Sequence, residues 1–327
     1  MNYNLNLIND KSIPIYLNDF INYMSTIRGK SINTINGYKS DLIMFFRFMK
    51  LYKGLTTKNM EFEKIVISDI DVEFVQNISL QDLFAFISFA ENYRKNGEYA
   101  RARKVAALKS FYKYLYGKAK IIMDNPTLEL ESPKIRRRNP VYLTLDESRS
   151  LLDSIVGRNA ERNKCIITLF LNCGMRLSEL CGIKVSNIKE DTLSVIGKGD
   201  KERTIYLNNS CLKVINSYLI TRLSIINEVS EEYKDFLFIS EKGNPINKRQ
   251  VERIVKKYVD LAGLDKAKYT PHKLRHTAAT LMYKYGNVDI RSLQKILGHE
   301  NISTTQIYTH VDDEKLREAI NSNPLNE

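Results

Sequence analysis

Apolar residues recur at spacings of three and four over most of this chain, and that period predicts helices. Within residues 34–52, Leu42, Phe45, Phe46 and Met49 mark one buried stripe. Residues 13–27, 79–93 and 98–116 keep the same rhythm, so four helices are expected before residue 120. Ser79 can cap the third, with Asp82 three residues on in its first turn. The fourth carries a stripe of Val105, Leu108, Tyr112 and Leu115. Residues 53–77 are irregular and longer than a tight helix connection needs, which suits a loop holding a short extended or helical piece.

Helical periodicity breaks at Asn125-Pro126 and again over 131–140, where Pro133, Arg136-Arg137-Arg138 and Pro140 read as a linker. Beyond it Thr144 can cap a helix running to about Val156, with Glu147 at its third position. Helices at roughly 160–173, 177–185, 210–226 and 247–262 follow by period. Between them the chain alternates apolar and polar over 192–197 and 203–207, around Lys198-Gly199-Asp200-Lys201. That alternation predicts a β-hairpin. Residues 236–239 read as a short third strand. Thr270-Pro271, a cap before a proline, opens a helix to about Tyr285, and 288–297, 303–310 and 312–321 are expected to be helical. The fold class expected is mainly α with a small β-hairpin or sheet. Its domains are a lead at 1–12, a helical domain at 13–130, a linker at 131–140, a mixed α/β domain at 141–311 and a tail at 312–327.

The formal net charge is +12 and the pI about 9.3, which favours an anionic partner. Residues 1–139 hold 22 Lys and Arg against 14 Asp and Glu, a net +8, whereas the remainder holds 28 against 24, a net +4. Stretch 94–120 is the clearest basic element, with nine Lys or Arg and one acid, Glu98. Arg101, Lys104, Lys109 and Lys113 there, and Arg136, Arg137 and Arg138 in the linker, are candidate contacts to a polyanion. A solvated basic face that only aids solubility is the competing reading.

Cys165, Cys173, Cys181 and Cys211 lack Cys-x-x-Cys spacing and sit among apolar residues, so each reads as a small buried hydrophobe. That usage fits a reducing cytoplasm. No signal peptide and no membrane span is expected.

The chemistry concentrates late in the chain. His272 and Arg275 are three apart near a helix start, where backbone N–H groups also favour an anion. Arg176 lies between two helices and can hold two phosphate oxygens at once. Glu179, three residues on, can pair with it. Lys198 stands between glycines at the hairpin tip, without the spacing of a Walker loop. His299 follows Gly298, and Tyr308 comes nine residues later. Free tyrosine has a pKa of about 10, so three nearby cations are expected to depress that of Tyr308 and make it nucleophilic. Taken singly, each feature also fits a surface pair, a hairpin tip or a structural ring.

Together the blocks 174–180, 195–203, 271–280 and 297–311 resemble the tyrosine recombinase (integrase) family, more closely its Xer-type members. The resemblance covers most of 140–311, and 13–120 as a compatible helical pattern. It implies a two-domain, C-shaped clamp on duplex DNA, with a core-binding helical domain and a catalytic domain. Arg176 and Arg275 would clamp the scissile phosphate, Lys198 would protonate the departing 5′ oxygen, and His272 would assist proton transfer. His299 would hydrogen-bond the phosphate, Glu179 would support, and Tyr308 would form a 3′-phosphotyrosyl bond. His276 and His310 would be structural, with His276 facing a different direction on the helix from Arg275 and packing or bonding internally.

No cofactor or metal is implied, since the phosphotyrosyl ester keeps the energy of the broken phosphodiester. Partners implied are double-stranded DNA and the chain itself as a tetramer on paired sites, docked through the C-terminal segment, with a second recombinase or a DNA translocase left open. A separate arm-binding module is not expected in the dozen residues before Ile13. The alternatives are a type IB topoisomerase-like enzyme that nicks and reseals, and a DNA-binding protein that no longer cuts.

Overall fold

The computed structural model describes residues 10–56, 60–135, 140–197 and 201–311, and the chain divides into two compact units, Met1–Arg137 and Arg138–Glu327. Arg136, Arg137, Arg138, Lys198 and the segment 312–321 therefore lie outside the described residues.

The first unit is helical: α1 (Ile15–Asn22), α2 (Ile32–Tyr52), α3 (Val72–Gln76), α4 (Leu80–Asn92) and α5 (Glu98–Tyr114). One π-turn, Tyr23–Ile27, extends α1, and another, Leu115–Ala119, extends α5. Ser79 caps α4 as its spacing predicts, and Asp82 closes the box by accepting from the Ser79 backbone at 2.9 Å. The core is aromatic. Phe46 meets Phe111 edge-on at 5.8 Å between ring centres, and Phe45 meets Phe86 likewise at 5.1 Å. Within the irregular stretch, residues 65–75 belong to this core. Ile65, Ile67, Ile70 and Val75 are buried, and Arg47–Glu63 and Lys50–Asp69 pin its outside, each at 2.7 Å.

The expected basic face of α5 is reduced by the same packing. Lys104 is 3% exposed and bound to Asp41 at 2.8 Å, so it offers no free charge. Arg101 is paired with Glu91. Lys113 is exposed and Lys109 half-buried.

The second unit is built around α7 (Ala160–Cys173), which follows α6 (Leu145–Asp153). Cys165, Ile166, Ile167, Leu169 and Phe170 put apolar atoms on nearly every side of α7, and a helix of that kind belongs in a core. It packs against α9 (Asn209–Leu223) and α11 (Pro271–Tyr285). Between α7 and α9 run α8 (Leu177–Cys181) and an antiparallel sheet in the order β1 (Ile188–Lys189), β2 (Thr192–Ile196), β3 (Glu202–Tyr206). Val195 pairs with Arg203 and Leu193 with Ile205, the register the alternation requires. After α9 come α10 (Lys248–Leu261) and, following α11, α12 (Ile290–Leu297).

Four expectations change. Residues 236–239 form only isolated bridges, Lys184 to Phe236 and Ile239 to Pro245. The third strand is Ile188–Lys189, because the turn at Glu190 (φ 50°) folds the preceding residues back onto β2. Helix α8 stops at Cys181, where Gly182 ends it. Residues 303–310 wind as two 3₁₀ turns, Ile302–Thr304 and Gln306–Val311. Thr270 precedes α11 but its side chain makes no capping bond; its backbone carbonyl accepts from Lys273 and Leu274 instead.

Candidate active site

Two helix ends make the anchor points. Gly174 closes α7 and Gly298 closes α12, both in the left-handed region, at φ 58° and 63°. A Cβ at Gly174 would lie 2.9 Å from a Leu297 methyl, and one at Gly298 would lie 2.8 Å from Arg203 Cδ, so neither position accepts a side chain. The glycines turn the helix ends so that carbonyl oxygens face guanidinium groups. Arg275 donates to Gly174 O at 2.7 Å and to Leu297 O at 2.6 Å. Arg176 donates to Gly298 O, and Arg203 to Ile296 O. The negative pole of two helices thus holds three cations in place.

Glu179 is the hub. Its carboxylate is wholly buried and accepts from the Arg176 backbone N–H and from Arg176 Nη1, each at 2.7 Å. Arg203 donates to both its oxygens, at 3.3 and 2.9 Å. Arg275 lies 3.9 Å away. Burial alone would raise the Glu179 carboxyl, but the bonds and charge of Arg203, then of Arg176, hold it below the usual carboxylate range. One carboxylate against three guanidiniums leaves the cluster with positive charge in excess.

That excess faces a cleft of about 680 Å³ lined by Arg176, His272, Arg275, His299, Lys248 and Thr304 among others. Arg275 is 4% exposed, and burial with the neighbouring Arg176 brings its pKa down to about 10, still charged at neutral pH. Burial, then Arg275 and Lys273, lower His272. His299 is driven down to about 4 by burial, then by Arg275, Arg176 and Arg203. Both rings are neutral at pH 7. His299 Nδ1 is 3.0 Å from Thr305 Oγ1, and its backbone carbonyl accepts from Gln294 at 2.9 Å, which fixes the ring. A second opening, about 420 Å³, borders Arg176, Arg203, His299, Gly197 and Lys201 on the hairpin side. Lys198 follows Gly197 in sequence and is outside the described residues.

Tyr308 lies behind this cleft. It is 1% exposed, packed with Ala279, Leu293 and Leu297, and its hydroxyl is 2.7 Å from His276 Nδ1. Burial pushes its pKa up to about 12, with only Arg275 pulling the other way. The expectation that surrounding cations depress this phenol is overturned, because desolvation of the phenolate outweighs a single near guanidinium.

Five expected site residues, Arg176, Glu179, His272, Arg275 and His299, are brought together, and Tyr308 sits one ring deeper. Two neighbours escaped sequence reasoning. Arg203 is on the inward face of β3, two before buried Ile205, and a charge on an inward face is the signal that marks it. His276 bonds internally as expected, and its partner is Tyr308. It is four residues after His272, hence on the same helix face, and the two rings meet edge-on at 4.5 Å. Among the described residues, no group of three His, Cys, Asp or Glu side chains could hold a metal.

Residues 141–315 match the family model described as the phage integrase family. The chain is 55% identical over 314 residues to the tyrosine recombinase XerC of Caldanaerobacter subterraneus subsp. tengcongensis, covering 96% of this chain and 88% of that protein. In structure it is similar to the XerH site-specific recombinase bound to a palindromic difH substrate (TM-score 0.72, 21% identity, 96% of this chain and 98% of that one). It is also similar to the lambda integrase tetramer bound to a Holliday junction (TM-score 0.63, 17% identity, 92% and 79%). At those identities the two structures speak for the fold.

Proposed function

This chain belongs to the phage integrase family and, within it, to the Xer-type tyrosine recombinases, and on that footing we propose how its own residues cut and rejoin DNA. The observation that carries the reading is the convergence of Arg176, Arg275, His272 and His299 on one cleft, with the Tyr308 hydroxyl a ring behind it. Arg176 and Arg275 use some N–H groups on helix-end carbonyls and keep others for two phosphate oxygens. The cleft's uncompensated charge suits the phosphodiester and the five-coordinate phosphorus that forms on attack. Glu179 and Arg203 keep the clamp in shape.

Tyr308 attacks phosphorus, its O–P bond forming as the bond to the 5′ oxygen breaks. Lys198 gives that oxygen a proton. His299, held through Nδ1, turns Nε2 towards the phosphate, and His272 assists the transfer of the phenolic proton. The free 5′ hydroxyl of another strand then reverses the step. Exposed cations such as Lys113 add affinity for the duplex without sequence discrimination. Four copies act on paired sites, a reading supported by the fold shared with a tetrameric integrase–junction complex.

The test is a nicked suicide duplex carrying the chain's own recombination site, selected from a random pool by binding. Wild type should give a covalent protein–DNA adduct through a 3′ phosphate, and Tyr308→Phe none. An adduct that persists in the phenylalanine variant removes Tyr308 from its role.

A further inference from the structure

A buried phenol beside a cluster of guanidinium groups has to be kept from reacting at the wrong moment, and something must hold it. Three observations identify the holder. Among the described residues, the Tyr308 hydroxyl makes its hydrogen-bond contact with one ring nitrogen, His276 Nδ1, at 2.7 Å. The His276 and Tyr308 rings are 5.6 Å apart, and the His276 ring in turn touches the ring of His272, which lines the cleft. Tyr308 belongs to a small buried cluster with Ala279, Leu293 and Leu297, whose side chains carry no hydrogen-bond acceptor.

We propose that His276 is a positioning residue for the nucleophile: with its proton on Nε2, it accepts the Tyr308 hydroxyl at Nδ1 and parks it one ring behind the cleft. This rests on Tyr308 being the nucleophile. His276 is suited to accept and unsuited to take the proton outright. Burial, then His272 and Lys273, bring its pKa down to about 3, so it stays neutral over the range in which the protein works. Without an acceptor the buried hydroxyl is left unpaired, which costs enough to shift the parked population on the order of tenfold or more. His276 therefore sets how readily the phenol comes forward, and His272, in ring contact with it, is the group through which events in the cleft reach it.

The experiment uses the full chain without DNA and reads Tyr308 directly. Tetranitromethane nitrates accessible, ionisable phenols, and peptide mass spectrometry separates Tyr308 from the exposed Tyr206, which serves as the internal rate standard. His276→Phe keeps a ring against His272 but removes the acceptor; His276→Asn keeps an acceptor near the Nδ1 position. Relative to Tyr206, Tyr308 should react at least tenfold faster in the phenylalanine variant and within about twofold of wild type in the asparagine variant. Equal protection in all three overturns the proposal, and so does equal exposure in both variants, since loss of packing alone would then explain it. Nitration of the buried Tyr112 and Tyr258 reports unfolding; if the phenylalanine variant fails that control, His276→Leu replaces it and is read the same way. The suicide duplex with wild-type protein separates the two ideas. No adduct there sinks the nucleophile assignment whatever the nitration pattern, whereas an adduct with unchanged nitration sinks only the role of His276.

Discussion

Each unit of this protein holds a buried carboxylate among cations, Asp41 in one and Glu179 in the other, and these two have opposite outcomes. Asp41 in the helical unit is sealed against Lys104, itself 3% exposed, with Arg103 3.0 Å from its second oxygen in an ion pair that makes no hydrogen bond. Burial there outweighs Lys104 and Arg103, and the Asp41 carboxyl is raised. Glu179 in the other unit is as deeply buried, yet its carboxyl is lowered, because two guanidiniums bond it at three points, the Arg176 backbone N–H at a fourth, and a third guanidinium stands near. In the first arrangement the one buried cation, Lys104, matches the one carboxylate, and the charge of Arg103 is shared with solvent. The second has more positive charge than its carboxylate can absorb, and all three of its arginines border open space. A buried ion pair is weak evidence of function, while an unbalanced one beside a cleft is a demand for an anion.

Glu179→Gln should break the comparison most visibly. Three buried or half-buried cations would lose their counter-charge, and stability in denaturant should fall by about 3–5 kcal/mol, with cleavage lost as well. Added sulfate or phosphate should restore more melting temperature to this variant than to wild type; equal protection would mean the cleft does not gather anions as a unit.

Asp41→Asn should cost a similar 3–5 kcal/mol through the charge left on Lys104. Unlike the first variant, it should cleave a saturating suicide duplex at the wild-type rate at a temperature where it is folded. A cleavage defect there would tie the closed pair to the chemistry and blur the contrast.

Arg176→Lys keeps the charge of the open cluster and loses its fork. Single-turnover cleavage should drop by roughly 10²–10³, with duplex affinity changed by less than about threefold. Matching rates would exclude a two-oxygen grip by this residue.

The pH dependence sharpens the contrast by a smaller margin. His276 and His299 titrate at about 3 and 4 in the folded chain against 6.5 when unperturbed. The unfolded chain therefore binds protons first as pH falls below about 6.5, so the stability these rings contribute is full above that value and erodes towards pH 4. The gap in melting temperature between wild type and His276→Phe should narrow over that window; a gap that stays constant would mean His276 is not held neutral.

Smallest of all, Lys113→Gln removes one exposed cation of α5. It should weaken duplex binding uniformly across sequences and reduce the salt slope by about one. No change in slope would leave α5 out of the interface.

Much was legible from the chain alone. Periodicity placed α7 at residues 160–173 and the hairpin to within a residue, because a buried helix and a half-buried hairpin write their periods plainly. The caps at Ser79 and Thr144 are written just as locally, in a hydroxyl followed three residues later by an acid. The types and order of the reactive residues were also visible, since phosphate chemistry needs arginines, histidines and a hydroxyl whatever the fold. Tertiary structure alone decided the rest. That Ile65, Ile67 and Ile70 enter a core, that Lys104 closes on Asp41 sixty-three positions away, and that Arg203 shares Glu179 with Arg176 are long-range facts without a local period. The state of Tyr308 is the sharpest case. Sequence names the phenol and the cations, but whether it is activated or parked depends on the balance of desolvation and distance, and both are set by how α11, α12 and the last 3₁₀ turn close around one hydroxyl.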